Sequence, residues 1–204
     1  DRLRSRGLGD VYKRQAQDKG KFMIGIVSRL TDQKGFDLVA YVMEQLCTED
    51  VQLVVLGTGD EKYENMFRHY DWKYHDRVSA NIYYSEPMAH KIYAACDAFL
   101  MPSLFEPCGL SQLMSLRYGT LPIVRETGGL RDSIHDCTLG EGNGFTFAGY
   151  SAHELYDACC RAQDRYYNKE DWNNLVKHDM ECDFSWDLSA KSYEGLYNET
   201  ANLW

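Results

Sequence analysis

The segment Ser103-Leu-Phe-Glu106-Pro-Cys108-Gly109-Leu110-Ser111-Gln112 gathers a carboxylate, a thiol and a glycine just before a helical pattern. The apolar run Ala98-Phe-Leu-Met101, closed by Pro102, reads as a buried strand. After Gly109, the residues Leu110, Leu113, Met114 and Tyr118 recur on one helical face. Glu106 therefore belongs to a strand-to-helix loop, beside the amides of Gly109 and Leu110. Such amides favour anionic oxygens, and a carboxylate next to them accepts hydrogen bonds from sugar hydroxyls. A sugar carrying a diphosphate needs both. Taken alone, the loop fits a helix cap with a stray carboxylate equally well.

Other loops add compatible chemistry. Arg29 and Lys34 follow the first apolar run. A guanidinium fork and a mobile ammonium suit the two phosphates of a diphosphate and would stabilise charge building on a departing nucleotide. Two solvated surface cations are the plainer alternative. Thr127-Gly128-Gly129 offers unobstructed amides ahead of a helix, a second anion cradle, although paired glycines mostly mark turns. Gly57-Thr58-Gly59 is weaker, because the dinucleotide fingerprint GxGxxG belongs after the first strand. Tyr84 ends a third strand, where its ring could stack on a nucleobase or simply pack at the rim. Cys108 has no histidine near it in sequence and reads as inert packing rather than a nucleophile. The six histidines show no HxxxH or HExxH spacing, so no metal is expected.

The elements that must position these residues alternate. Strands are expected over 22–27, 51–56, 77–84, 98–101, 121–124 and 143–147. Helices are expected from Phe36 (with Leu38, Val39, Val42, Met43 and Leu46 inward), over 61–74, 88–96, 110–118, 152–168, 170–180 and 187–200. Such alternation specifies an α/β fold, a doubly wound, mostly parallel Rossmann-like sheet followed by C-terminal helices. Right-handed crossovers then bring the loops at 29–34, 57–59, 84–86, 106–110 and 127–130 to one crevice. The aromatics Tyr156, Tyr166, Tyr167, Trp172, Trp186, Tyr193 and Tyr197 read as core and interface.

Composition bounds the function. With 204 residues, 44% hydrophobic and 26% charged, the chain can bury a core as a single domain. A net charge of −9 argues against nucleic-acid binding, and no apolar run approaches the ~20 residues of a membrane span. Seven cysteines without a CxxC pair fit a reducing compartment better than zinc or disulfides. Residues 1–15 are basic and aperiodic. They are read as a non-native or disordered leader, leaving 16–204 as the domain.

Together the motifs resemble the C-terminal, nucleotide-sugar-binding half of the bacterial glycogen synthase/plastid starch synthase family. The residues that carry the resemblance are Ser28-Arg-Leu-Thr-Asp-Gln-Lys-Gly35, Tyr84-Ser-Glu86, Pro102 to Gln112, Arg117 to Val124, Thr127-Gly-Gly-Leu130 and Phe184-Ser-Trp186. The resemblance implies a GT-B, retaining hexosyltransferase that moves glucose from ADP-glucose to the non-reducing end of an α-1,4-glucan, with no cofactor or metal ion. It assigns Arg29 and Lys34 to the diphosphate and Glu106 to the glucose hydroxyls. Cys108, Gly109, Leu110 and Ser111 would hold sugar and phosphates, Thr127, Gly128 and Gly129 the phosphates, and Tyr84 the adenine. Adenine against uracil is left open by the residues themselves.

Two departures qualify the match. Wider retaining relatives carry a second Glu eight positions after the first, where this chain has Met114; that fits the glycogen/starch branch. The family's N-terminal, acceptor-side domain, with its Lys-Thr-Gly-Gly-Leu loop, has no counterpart in these residues. The chain alone is therefore expected to be a poor catalyst, with its last helix partly exposed. A bacterial cytoplasmic setting is expected over a plastid, since no transit peptide opens the chain. The competing readings are a non-catalytic nucleotide- or glucan-binding module and, against the missing GxGxxG, a nicotinamide-dependent enzyme.

Overall fold

The first strand reads as one apolar run because both of its faces are covered. In the computed structural model, which describes residues 20–138 and 140–201, β1 (Phe22–Val27) pairs in parallel with β2 (Val51–Leu56) on one side and β4 (Ala98–Met101) on the other. With β3 (Val78–Asn81), β5 (Leu121–Arg125) and β6 (Phe145–Phe147) the order is β3-β2-β1-β4-β5-β6, parallel throughout. Phe22, Ile24 and Ile26 face a core shared with α1 (Phe36–Thr48), α6 (Ala152–Tyr167) and α7 (Lys169–Glu181). Met23 faces the opposite layer with Ile92 of α3 (Glu86–Ala95). Because β1 and β4 are neighbours but not consecutive, the chain changes direction between them. Their C-terminal loops diverge there and leave a crevice. The expected leader lies outside the described residues.

The helices otherwise follow their patterns. All six inward positions expected for α1 are buried. α2 (Glu61–Lys73) buries only Tyr63 and Phe67, as its polar sequence requires. α3 starts two residues earlier than expected: Ser85 caps it by accepting the Met88 amide (3.3 Å), and Pro87 sits in its first turn.

Several boundaries and faces differ from expectation. β3 stops at Asn81, not residue 84. β2 ends where the Gly57 amide donates to the Asn81 carbonyl (3.1 Å), so later residues have no ladder partner. Asn143 and Gly144 fall outside β6. The Asn143 side chain instead accepts from the His135 amide (2.8 Å) and donates to the Ser133 carbonyl (2.9 Å). α4 (Ser111–Arg117) buries Gln112, Ser115 and Leu116, while Leu110, Met114 and Tyr118 are exposed. The expected apolar face exists, but α4 lies at the crevice edge, where that face is open rather than covered. Tyr166 and Trp172 are core residues, as expected, whereas Tyr167 is exposed. α8 (Trp186–Ala201) buries no residue, so Trp186, Tyr193 and Tyr197 are open to solvent.

Two local devices hold the crevice-forming ends in place. Gly35 has φ +73°, and a Cβ there would lie 2.0 Å from the Pro102 carbonyl oxygen. The loops after β1 and β4 touch at that point. At the far edge, Asp136 accepts from the amides of Thr138 (2.8 Å) and Thr146 (2.8 Å) and from Arg161 of α6 (2.8 Å), tying β6 to its helix. Burial opposes ionisation of Asp136. Its hydrogen bonds from Thr138, Thr146 and Arg161 outweigh burial and hold the carboxyl at about 2, below the ordinary 3.8.

Gly35→Ala is expected to destabilise the chain by about 2 kcal/mol or more in urea unfolding, since it combines a left-handed backbone with a backbone clash; an unchanged midpoint would show the two loops are not in contact. A carboxylate whose folded pKa is depressed stabilises above its unfolded pKa, and that contribution is lost as pH falls through the folded value. Stability should therefore drop between pH 3.8 and about 2. In Asp136→Asn that part of the pH dependence should flatten.

Candidate active site

The crevice holds two adjoining cavities that share Val27, Ser28 and Arg29. One, about 320 Å³, is walled by Leu56, Gly57, Thr58, Tyr83, Tyr84, Ala89, His90, Tyr93 and Met114 and is largely apolar. The other, about 220 Å³, is more polar and is lined by Lys34, Pro102, Ser103 and Ser111. Arg29 is exposed between them, and among the described residues no carboxylate pairs with it. Asp32, its near neighbour, is drawn instead to α2. Lys62 (2.6 Å) and the Tyr63 hydroxyl donate to it and hold its carboxyl below the usual range. Both cations of the first loop thus remain directed at the crevice rather than neutralised by the acid between them.

Lys34 reaches across to the central loop and forms an ion pair with Oε2 of Glu106. Glu106 is 8% exposed, so most of its hydration is gone and the ammonium replaces it. The Ser103 hydroxyl donates to the same oxygen at 3.4 Å. The loop backbone is fixed from both sides. The Leu104 amide donates to the Gln33 carbonyl (2.9 Å), the Gln33 side chain to the Phe105 carbonyl (3.3 Å), and Arg125 to the carbonyls of Ser103 (2.8 Å) and Leu104.

Of the residues singled out from the sequence, Arg29, Lys34 and Ser111 meet in the polar cavity, and Glu106 joins them through its ion pair. Tyr84 lies beyond the end of β3, 86% exposed on the rim of the apolar cavity. Cys108 is exposed rather than packed, donates to the Gly109 carbonyl (3.5 Å), and has no histidine or carboxylate bonded to it among the described residues. Gly109 has φ +73° and Leu110 is 61% exposed; neither lines either of these two cavities. Thr127, Gly128 and Gly129 also lie behind the cavities. They precede and open α5 (Gly128–Ser133), whose Gly129 amide donates to the Glu106 carbonyl (3.0 Å). That amide is therefore engaged by the central loop, whereas the amides of Thr127 and Gly128 donate no hydrogen bond among the described residues. A Cβ on Gly128 would lie 2.1 Å from the Glu106 carbonyl oxygen, and one on Gly129 2.1 Å from that of Cys108. The two glycines let α5 press against the loop.

Of the other residues at the site, His90, Tyr93 and Arg125 lack any local motif, and Ser103, although inside the central segment, carries no signal of its own for its bond to Glu106. The signal for Gly57-Thr58-Gly59 was present but discounted: Leu30 donates to the Thr58 carbonyl (2.9 Å), bringing both loops to the crevice. Met114 lines the apolar cavity. Among the described residues, no group of three His, Cys, Asp or Glu side chains is placed to hold a metal ion.

A family model described as "Glycosyl transferases group 1" matches residues 11–173. The chain belongs to that family. Glycosyl transferases group 1 members among its relatives include the "Glycogen synthase" of Lachnospira eligens, 72% identical over 89% of this chain and 39% of that protein. The "Glycogen synthase" of Lachnoclostridium phytofermentans is 60% identical over the same shares. The chain thus spans well under half the length of these curated relatives. Among solved structures, the catalytic domain of Starch Synthase IV from Arabidopsis thaliana, bound to ADP and acarbose, superposes with a TM-score of 0.81 at 35% identity, over 93% of this chain and 40% of that one. The six-stranded parallel sheet with flanking helices is that of a GT-B glycosyltransferase domain.

Removing one member of the Lys34–Glu106 pair leaves the other poorly solvated. Lys34→Met is expected to lower stability by about 1–3 kcal/mol, and the double variant Lys34→Met/Glu106→Gln to regain at least about half of it. A double-mutant cycle in urea measures this coupling. Strictly additive losses would mean the pair does not form.

Proposed function

We propose that this chain is the donor-binding half of an ADP-glucose-dependent glucan synthase, transferring glucose to the non-reducing end of an α-1,4-glucan with retention of configuration. The observation that carries it is the continuity of the two cavities through Arg29. An apolar slot ending in an exposed tyrosine suits a nucleobase. A polar one flanked by two cations and a carboxylate suits a diphosphate and a sugar. The glycogen synthase relatives and the ADP-bound starch synthase structure support the same ligand class.

In this reading Arg29 and Lys34 meet the charge that accumulates on departing ADP, the task a metal ion performs in other transferases. Glu106 accepts hydrogen bonds from glucose hydroxyls. Because Glu106 holds Lys34 when no donor is bound, donor binding exchanges one anionic partner of Lys34 for another, and Glu106 is released to the sugar. Cys108 to Ser111 border sugar and phosphates, and the Thr127 turn supports them from behind. The acceptor glucan is met mainly outside this chain, consistent with the uncovered aromatic face of α8. We place the enzyme in the bacterial cytoplasm, following its bacterial relatives; no helix among the described residues is long and apolar enough to cross a membrane.

Calorimetric titration with ADP, UDP and ADP-glucose tests the reading. ADP should bind, and Arg29→Ala should weaken it by about tenfold or more, the worth of one charge-assisted contact. Glu106→Gln should leave ADP affinity equal or tighter while removing the extra affinity contributed by glucose. A chain that binds UDP and ADP alike, or whose binding is unaffected by Arg29→Ala, would sink the assignment.

A further inference from the structure

The cleft loop is also held from beneath, by a side chain that reaches no ligand cavity. Gln112, 1% exposed at the start of α4, donates from Nε2 to the carbonyls of Cys108 (3.1 Å) and Gly109 (2.9 Å) and to Ser133 Oγ (3.2 Å). Three acceptors around one NH₂ fix the orientation of the amide, since the opposite flip would set its oxygen against two carbonyls. Gln112 Oε1 has no partner among the described residues, so the hydrogen bonds of this amide are made by its nitrogen. The network continues. Ser133 Oγ donates to the Gly129 carbonyl (2.6 Å), and the Gly129 amide donates to the Glu106 carbonyl (3.0 Å). Glu106, Gly129, Ser133, Gln112 and the Cys108–Gly109 carbonyls therefore form one circuit joining the central loop to α5.

This circuit has a geometric consequence. In a trans peptide the C=O and the following N–H point in opposite directions. Turning the Cys108 and Gly109 carbonyls inward onto Gln112 turns the amides of Gly109 and Leu110 outward. That is the side on which Cys108 and Leu110 are exposed. Neither amide donates a hydrogen bond among the described residues. The same clamp accounts for glycine at 109: besides its φ of +73°, a Cβ there would lie 2.5 Å from Gln112 Oε1.

We propose that Gln112 is a positioning residue for donor binding. It touches no ligand itself, and acts by aiming the Gly109 and Leu110 amides at the anionic and sugar oxygens of the donor. The inference rests on the donor-site reading above.

The test uses Gln112→Met, which keeps the length of the side chain and removes the donor. Amide ¹H–¹⁵N spectra and calorimetry are recorded with ADP-glucose and with adenosine. In the wild type, ADP-glucose should move the Gly109 and Leu110 signals downfield. In Gln112→Met those shifts should vanish and ADP-glucose affinity fall by about tenfold or more, as for loss of a charge-assisted hydrogen bond, while adenosine binding changes less than about twofold. General loosening of the fold would weaken both ligands together. Wild-type chain that binds neither ligand overturns the donor-site reading and this inference with it. Wild-type binding with unchanged shifts and affinity in Gln112→Met overturns this inference alone. Should Gln112→Met fail to fold, Ser133→Ala decides: it should weaken ADP-glucose by about threefold, the worth of one neutral hydrogen bond, and leave adenosine unaffected. No change there also overturns the inference.

Discussion

The ion pair between Lys34 and Glu106 joins the loops after β1 and β4 across the point where strand order reverses, and the geometry of the site follows from it. Glu106 is buried and Lys34 partly so, which makes the carboxylate costly to leave without a cationic partner. That requirement draws the two loops together at Gly35 and Pro102, where only a residue without Cβ fits. It also leaves Arg29 as a cation with no carboxylate partner among the described residues, at the junction of the apolar and polar cavities.

The second organising feature is that the central loop is supported rather than self-supporting. Its carbonyls at 103, 104 and 105 are taken by Arg125 and Gln33, those at 106, 108 and 109 by Gly129 and Gln112. Six of the seven carbonyls from Ser103 to Gly109 are thus turned inward. The amides of Gly109 and Leu110 are left free by the same geometry. Rigid positioning of dipoles before a ligand binds is what makes such amides effective, because no reorganisation is needed at the moment charge develops. Gly128 and Gly129 serve this end by letting α5 approach to backbone contact.

Away from the crevice the fold is stabilised by ordinary means. β1 and β2 are buried on both faces, and beneath the sheet Trp172 packs edge to face on Phe22 and Tyr166, which are tilted against each other, with ring centroids 5.2 to 5.8 Å apart. Cys47 and Cys137 are pushed up to about 12 by burial, which leaves them as unreactive core side chains. α8 stands apart: its Trp186, Leu188, Tyr193 and Tyr197 are all exposed, and the two tyrosines meet only each other's rings among the ring contacts of the described residues.

What the sequence determined alone was whatever depends on neighbours along the chain. Strand runs such as Phe22–Val27 and the helical spacing of Phe36 to Leu46 are local, so element order, the parallel sheet and the edge where loops gather were legible. So was the gathering of Arg29, Lys34 and Glu106 at that edge, because each follows a strand whose end the sequence marks. Tertiary structure alone decided what depends on distance through space. It ended β3 at Asn81, because β2 ran out. It turned the apolar face of α4 toward the crevice, because helical period reports that a face exists but not what covers it. It paired Lys34 with Glu106 and engaged the Gly129 amide with the Glu106 carbonyl. It also gave Gln112 its place, since a glutamine in a helix has no distinguishing spacing until two carbonyls and a serine from another helix converge on its nitrogen.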